Sequence, residues 1–513
     1  MKFSRLTYFA FFLAITLRLV VLLTSRPFVF GGDSYSYIAL SREISGNSYL
    51  IPYSNQIHFP GSEFIFPPAI PYFLSLFVPV MSTFDLLAIL TFLDILLGSV
   101  PVFLVSSITS RLGGKNPGII SGFIYGTFPA FIYLDTWGDV AQVLGIVVIL
   151  LLILLLLDVL DNPDSRRFTF FAFLALVFLA FSHDLSFFFS LFFILISIIM
   201  IVVLNAKKRQ KVFSIQPVLV ILFSGGIAGS TWYILHPAWI SFIIEGFLSR
   251  SVHSTVTVFG LASSISPLFA VPYGYNILAF IFFALLLISW LYTHIAGWTN
   301  EKVLLDALML ASLVPAVVFI SNPVLFSRFL YFASLGYSIA GSILLGDILA
   351  YQGKRTSLNL RRLQFVAKVV VFLIIAMYLS LSVTINASSH AYYVSGGGSG
   401  NTFDENVMLS DWIGSHDSGG AVAAPQQIGF MIMAYANVPV LVNENSTLLT
   451  QKVEVSESFA AGELISLTGN ITLVKDIVTE YSVQYVVTNQ TIHTDIYKPV
   501  FSNSFYTVYR ITI

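Results

Sequence analysis

Three ionisable side chains stand where an otherwise apolar chain has little reason to keep charge. Asp33 follows the first apolar segment in the run Gly31-Gly32-Asp33-Ser34-Tyr35-Ser36-Tyr37, and Asp139 opens another after Asp135-Thr136-Trp137-Gly138. Arg328 lies at the start of a late apolar segment, six residues after Asn322. Two carboxylates at one membrane face can hold a divalent cation, Mg or Mn, through oxygen ligands, or divide general-base and orienting work between them. A guanidinium matches phosphate oxygens bidentately, which suits a lipid phosphate or diphosphate. Each residue also has a plain structural use: Asp33 or Asp139 can cap a helix, and Arg328 can snorkel to headgroups.

Lesser candidates are His183 and Asp184, His58 and Glu63 in the first long loop, and Glu245, Arg250 and His253 in a later one. Each reads more readily as a solvated loop residue. Asp94 falls in mid-segment, where acids default to function, but stands nearly alone there; Arg18 reads as snorkelling from the first segment.

These residues must be positioned by a membrane protein. The 513-residue chain is 57% hydrophobic and 10% charged, with a mean hydropathy of +0.86. A soluble domain carries about 25% charged residues, so a purely soluble enzyme is excluded. The net charge of −1 argues against nucleic acid as a partner, and the absence of cysteine excludes disulfides, thiol catalysis and Cys-ligated zinc. The charge is divided: from Ile385 onward there are four basic and eleven acidic residues, against 21 and 15 before it.

Apolar segments long enough to cross a bilayer lie near 6–24, 84–108, 117–134, 139–160, 168–182, 185–204, 213–236, 272–294, 303–320, 326–350 and 364–384, about eleven spans. The first reads as a retained anchor helix, since no small-residue cleavage site follows it. The proline-rich stretch 67–81 fits an interfacial or re-entrant helix. Without it as a span, Lys2/Arg5, Arg111/Lys115, Arg166/Arg167, Lys207 to Lys211, Lys302 and Lys354 to Arg362 all fall on one side, which the positive-inside rule makes cytoplasmic. The N-terminus is then cytoplasmic and the tail outside, in a multi-pass cell-membrane protein. Four N-glycosylation acceptors agree, at Asn386, Asn445, Asn470 and Asn489, all in the last quarter of the chain; their clustering suits an archaeal or eukaryotic source, the archaeal one being preferred.

The fold class is therefore a polytopic α-helical membrane protein with a C-terminal extracytoplasmic α/β domain. A transmembrane domain, 1–384, carries a long first outer loop, 25–83, and the outer domain is 385–513. In the tail, alternation and periodicity predict helices at 406–414 and 428–436 and strands at 420–424, 438–442, 482–488 and 505–513. Residues 395–400, Ser-Gly-Gly-Gly-Ser-Gly, predict a flexible hinge.

The pattern resembles the polytopic glycosyltransferases of the GT-C type. Gly32-Asp33-Ser34-Tyr35-Ser36-Tyr37 is similar to their Gly-x-Asp-x-Tyr-Tyr opening, and Phe66-Pro67-Pro68-Ala69-Ile70-Pro71-Tyr72 resembles the interfacial helix of protein-O-mannosyltransferase-like members. A second acid at Asp139 and a late arginine at Arg328 resemble the archaeal oligosaccharyltransferase catalytic subunit. Of that family's Trp-Trp-Asp-Tyr-Gly acceptor-reading motif only Gly429 could correspond, and Ser251-Val252-His253-Ser254 stands where a glutamate is expected. The resemblance implies inverting transfer of a sugar or oligosaccharide from a polyprenyl-phosphate or -diphosphate carrier to a protein or lipid acceptor on the outer face, among membrane lipids. Asp33 would be the base or metal-positioning acid, Asp139 an orienting or metal-binding acid, and Arg328 the donor-phosphate ligand. A non-catalytic membrane glycoprotein, a transporter or an envelope-assembly scaffold, is the reading from a different class.

Overall fold

The computed structural model describes residues 3–23, 28–52, 67–161, 166–208, 276–295, 300–318, 323–350, 376–377, 379–397, 402–417, 419–443, 452–491 and 495–512, with short pieces between 222 and 230. His58, Glu63, Glu245, Arg250, His253 and Asn445 lie outside the described residues, as does most of the segment expected to span at 213–236. The first half of the chain forms α1 (Arg5–Leu23), α2 (Asp33–Gly46), α3 (Ala69–Ser75), α4 (Thr83–Ser99), α5 (Pro101–Gly113), α6 (Lys115–Thr127), α7 (Pro129–Trp137), α8 (Val140–Asp161), α9 (Arg166–Ser182) and α10 (Asp184–Lys208). Further helices follow at Asn276–Ile295, Asn300–Val318, Pro323–Ala350 and 379–394.

Among the described residues six helical stretches are long and apolar enough to cross a membrane: Arg5–Leu23, Thr83–Gly113, Lys115–Trp137, Val140–Leu160, Asp184–Val203 and Arg328–Ile348. Phe170–Ser182 and Phe283–His294 are apolar but shorter. Helix α3 has seven residues, roughly 10 Å at 1.5 Å per residue, too short for a hydrocarbon core of about 30 Å. The longest stretch, Thr83–Gly113, starts at a capping box, where Ser82 accepts from the Asp85 N–H and Asp85 accepts from the Ser82 N–H. Successive helices run back and forth, so Arg111, paired with Asp158, marks one end of the bundle and the α7–α8 turn the other.

Arg18 does not snorkel. It is fully buried in α1, and its Nε lies 2.5 Å from Asp135 Oδ2 on α7. Asp94 of α4, also fully buried, is within electrostatic reach of both, so it is not alone.

The tail folds as a five-stranded mixed sheet in the order β2-β1-β3-β5-β4. The strands are β1 (Ala421–Pro425), β2 (Val440–Asn443), β3 (Val483–Thr488), β4 (Tyr497–Ser502) and β5 (Thr507–Ile511). The first three pair in parallel, β5 runs antiparallel to β3, and β4 antiparallel to β5. Helices Phe403–His416 and Gln426–Ala436 cover one face, and Lys452–Ile465 and Ile471–Tyr481 the other. Gly429 is required at its position because a Cβ there would lie 2.4 Å from Val442 Cγ1 on β2.

The sheet is not a separate bead on a tether. One apolar core joins Tyr35, Ile38 and Ala39 of α2, Leu86 to Leu90 of α4 and Val140 of α8 to Ile428, Met431 and Val508 of the tail. The expected boundary at 384/385 falls inside the continuous helix 379–394. Gly396 and Gly397 then turn the chain at φ of +73° and +95° while packed on Ile428, Met431 and Tyr506. Arg42 reinforces the joint, donating from α2 to the Ala434 carbonyl and, at 2.6 Å, to Thr83 Oγ1.

Two glycine turns bring the start of α2 and the end of α7 into backbone contact. Gly32, at φ +63°, has room for no Cβ, which would sit 2.5 Å from the Trp137 carbonyl oxygen. Gly138, at φ +70°, would place one 2.2 Å from Ser34 Oγ and 2.3 Å from the Gly31 carbonyl oxygen. Gly138→Ala combines a left-handed backbone, costing roughly 1–2 kcal/mol, with that clash. The expected outcome is a thermal unfolding midpoint in detergent several degrees below wild type, with the larger Gly138→Val further down; an unchanged midpoint in both variants would contradict this packing.

Candidate functional site

Asp33 is the first residue of α2 rather than its cap. The cap is Gly32, which supplies no side-chain bond. The carboxyl group stands in the first turn, where the helix dipole favours an acid, but it accepts no hydrogen bond among the described residues and remains partly open to the surface. Burial pushes its pKa up to about 7, reinforced by the negative charge of Asp139 and opposed by Arg328.

Asp139 does serve as a cap. Its Oδ1 accepts the Gln142 N–H at 3.1 Å, at the start of α8, and the Tyr37 hydroxyl at 3.2 Å. Its other oxygen, Oδ2, lies 3.6 Å from Arg328 Nη1. Arg328 also donates to Gln142 Oε1 at 3.5 Å. The Arg328 side chain keeps 23% of its surface, whereas that of Asp139 keeps 2%, so the guanidinium is held from behind by a buried anion and presents part of its fork outward. That geometry leaves donors for an oxyanion, in partial desolvation where such contacts strengthen.

His183 joins the same region between α9 and α10. Its Nδ1 accepts the Ser186 N–H at 3.2 Å and faces Ser186 Oγ at 2.7 Å, capping α10. Burial lowers its pKa, the nearby charges of Asp139 and Asp184 raise it, and Arg328 lowers it. With Nδ1 accepting, the neutral ring carries its proton on Nε2. Asp184 binds the Leu185 N–H at 2.6 Å and adds negative potential at Arg328.

Asp33, Asp139, Arg328, His183 and Asp184 therefore meet at one end of the bundle from α2, α8, α10 and the helix Pro323–Ala350. Tyr37 and Gln142 were not singled out in the sequence, though spacing carried a signal. Tyr37 is one helical turn after Asp33 and so shares its face, and Gln142 stands at the third residue after the cap, where an N–H needs a partner. Burial drives the Tyr37 hydroxyl pKa well above its usual value, with Asp139 and Asp33 adding to the shift and Arg328 opposing it, so the hydroxyl stays protonated and donates a hydrogen bond to Asp139.

Two carboxylates and orphaned oxygens fit a hard cation in part. Among the described residues Asp33 accepts no hydrogen bond, and neither does buried Asp139 Oδ2. Among the described residues no group of three or more His, Asp or Glu side chains converges as a metal cage; Mg is commonly held by only one or two carboxylates with water and substrate phosphate.

The acceptor sequons divide. Asn470 and Asn489 are exposed, Asn470 also capping Ile471–Tyr481 through the Leu473 N–H. Asn386 departs from the expectation: it is 1% exposed on the helix 379–394 and donates to Ser382 Oγ at 3.3 Å, so its amide is not presented for modification.

No family model matches the sequence, and no curated protein sequence matches it. Solved structures do match. The archaeal oligosaccharyltransferase AglB from Archaeoglobus fulgidus, in complex with an inhibitory peptide and a dolichol-phosphate, aligns at a TM-score of 0.59 and 15% identity over 94% of this chain and 69% of that one. The same enzyme with Zn and sulfate aligns at 0.58. ArnT from Cupriavidus metallidurans bound to undecaprenyl phosphate aligns at 0.56 and 12% identity, over 98% of this chain and 97% of that one. Both neighbours are GT-C glycosyltransferases, and at these identities the likeness speaks for architecture: the chain has the GT-C fold.

Proposed function

We propose that this protein is a membrane glycosyltransferase that moves a sugar or oligosaccharide from a polyprenyl-phosphate or -diphosphate carrier to a protein or lipid acceptor at the outer face of the cell membrane. The observation that carries the reading is the pairing of a partly open Asp33, which accepts no hydrogen bond among the described residues, with an arginine already anchored on Asp139. One group is free to take a proton and the other is set to hold phosphate. The neighbours that bind dolichol-phosphate and undecaprenyl phosphate support the class of donor, and a neighbour tethered to an acceptor peptide supports a peptide as one class of acceptor.

In this reading the acceptor heteroatom attacks the anomeric carbon as the bond from that carbon to the carrier phosphate breaks. The acceptor proton passes to Asp33, and the electron pair leaves with the phosphate, whose charge Arg328 meets. Asp139 orients Arg328 and Tyr37 and does not face the acceptor alone. Asp33 and Asp139 would hold a divalent cation where one is used; it would add charge stabilisation at the leaving phosphate. About eleven spans, a cytoplasmic N-terminus and an outer sheet domain complete the proposal, since Arg111, Lys115, Arg166 and Lys208 terminate helices away from the site. A transporter would thread ionisable groups along a path, whereas Arg18, Asp94 and Asp135 are sealed at 0–1% exposure.

The test offers purified protein in lipid nanodiscs a panel of dolichyl- and undecaprenyl-phosphate hexoses with peptide and lipid acceptors. Asp33→Asn should abolish transfer and bind dolichyl phosphate no more weakly than wild type. Arg328→Gln should weaken that binding about tenfold or more, the scale of one charge-assisted contact. Transfer by the Asp33 variant at the wild-type rate removes the assignment.

A pH series gives an independent check. A base must be ionised to act, and the Asp33 carboxyl titrates at about 7 rather than near 3.8. The single-turnover rate is therefore expected to rise with pH through about 7 and then level off; a rate flat from pH 5 to 8 contradicts Asp33 as the base.

A further inference from the structure

One group of ionisable side chains has no part in the transfer chemistry: Arg18, Asp94 and Asp135, on α1, α4 and α7. Their side chains are 0–1% exposed and lie within the bundle. Charges at such depth are costly and are kept where they have a role, and removing one partner of a buried pair leaves its counterpart uncompensated.

The neighbours of this cluster point to that role. Arg18 Nε meets Asp135 Oδ2 at 2.5 Å, and Arg18 Nη1 donates to the Ala14 carbonyl at 3.3 Å. The fit is tight, because a Cβ on Gly98 of α4 would come 2.7 Å from Arg18 Nε and 2.9 Å from Asp135 Oδ1. Asp135 lies in the last turn of α7, and its carbonyl accepts the Gly138 N–H at 2.9 Å in the turn that delivers Asp139. Asp94 lies one turn after Thr91 on α4, and Thr91 Oγ1 accepts the Phe30 N–H at 2.7 Å in the segment that delivers Asp33. The two helices that steady the carboxylate-bearing turns therefore meet at one guanidinium, α7 through the Asp135 ion pair and α4 through Gly98, with Asp94 within its electrostatic reach.

We propose that Arg18 is a positioning residue: by pairing with Asp135 of α7 while packed against Gly98 of α4, it fixes the register between the turn carrying Asp139 and the turn carrying Asp33. This rests on the transfer reading above for its consequence in catalysis, but its structural half can be measured without any donor. A misplacement of about 1 Å between reacting groups costs on the order of 100-fold in rate.

The experiment compares wild type, Arg18→Gln, Arg18→Lys, and the uncharged pair Arg18→Gln with Asp135→Asn, as full chains in nanodiscs. The pair keeps the question open should Arg18→Gln alone fail to fold, because it strands no charge opposite Asp135. Hydrogen exchange is read at 30–35 and 138–143, with strands β1 and β3 as internal reference. The expected result is exchange at least tenfold faster in both turns and unchanged in the reference strands, with Arg18→Lys intermediate. With the donor on which wild type turns over, kcat should fall 10- to 100-fold while the Kd for dolichyl phosphate stays within twofold. Wild-type exchange in both turns, or loosening confined to one, overturns the proposal; so does a kcat that returns to wild type in the uncharged pair. If Asp33→Asn still transfers, the enzyme reading falls, and the exchange data alone decide the part played by Arg18.

Discussion

The close approach of two backbone turns governs the active end of this molecule. Residues 31–34 and 137–139 touch main chain to main chain, with Gly32 against the Trp137 carbonyl and Ser34 Oγ donating to the Gly138 carbonyl at 3.3 Å. Both turns use left-handed glycines, because any side chain would hold them apart. Everything chemical at that end is a consequence of this contact: a carboxylate emerging from each turn, the Tyr37 hydroxyl reaching Asp139, and Arg328 drawn to the second anion.

Around that contact the protein builds support in three directions. Thr91 of α4 holds Phe30 from within the bundle. From the helix 379–394, the Val394 carbonyl receives the Tyr35 hydroxyl at 2.6 Å, Tyr393 meets Trp137 edge-on with centroids 5.8 Å apart, and His390 Nε2 lies 2.8 Å from the Val29 carbonyl. The sheet domain then closes over α2 through Arg42 and a common apolar core. A site made of residues on different helices keeps its geometry only where each backbone is fixed independently, and loops with few such contacts open most readily.

The electrostatics divide between two arginines with different exposures. Arg18, sealed, balances carboxylates that never meet solvent; Arg328, partly open, leaves some of its donors unspent. The same residue type thus fills a purely internal place and an outward-facing one, and depth is what separates them. Position along the apolar segments already separated them, Arg18 lying inside the first and Arg328 at the start of a late one, but not what each would pair with.

Composition and periodicity alone determined that the chain lives in lipid, where most of its long helices run, and that a small α/β body follows; the prolines and the placing of basic residues pointed to an interfacial segment at 67–81, where the structure has a seven-residue helix. Strands at 420–424 and 438–442 and the helix at 428–436 lie within two residues of those observed, because alternation and runs of small apolar residues are local signals. The helices Lys452–Ile465 and Ile471–Tyr481 and strand Tyr497–Ser502 went unread: Ile471, Val474, Ile477, Val478 and Tyr481 do carry a helical period, whereas the other two segments mix apolar and charged positions and are decided by packing on the sheet. Asp33, Asp139 and Arg328 were legible as misplaced charges in an apolar chain. Their convergence, the burial of Asn386, the pairing of Arg18 with Asp135 and the share of Tyr37 and Gln142 belonged to tertiary structure alone. Segments more than a hundred residues apart meet there, and no local pattern encodes which faces of two helices will touch.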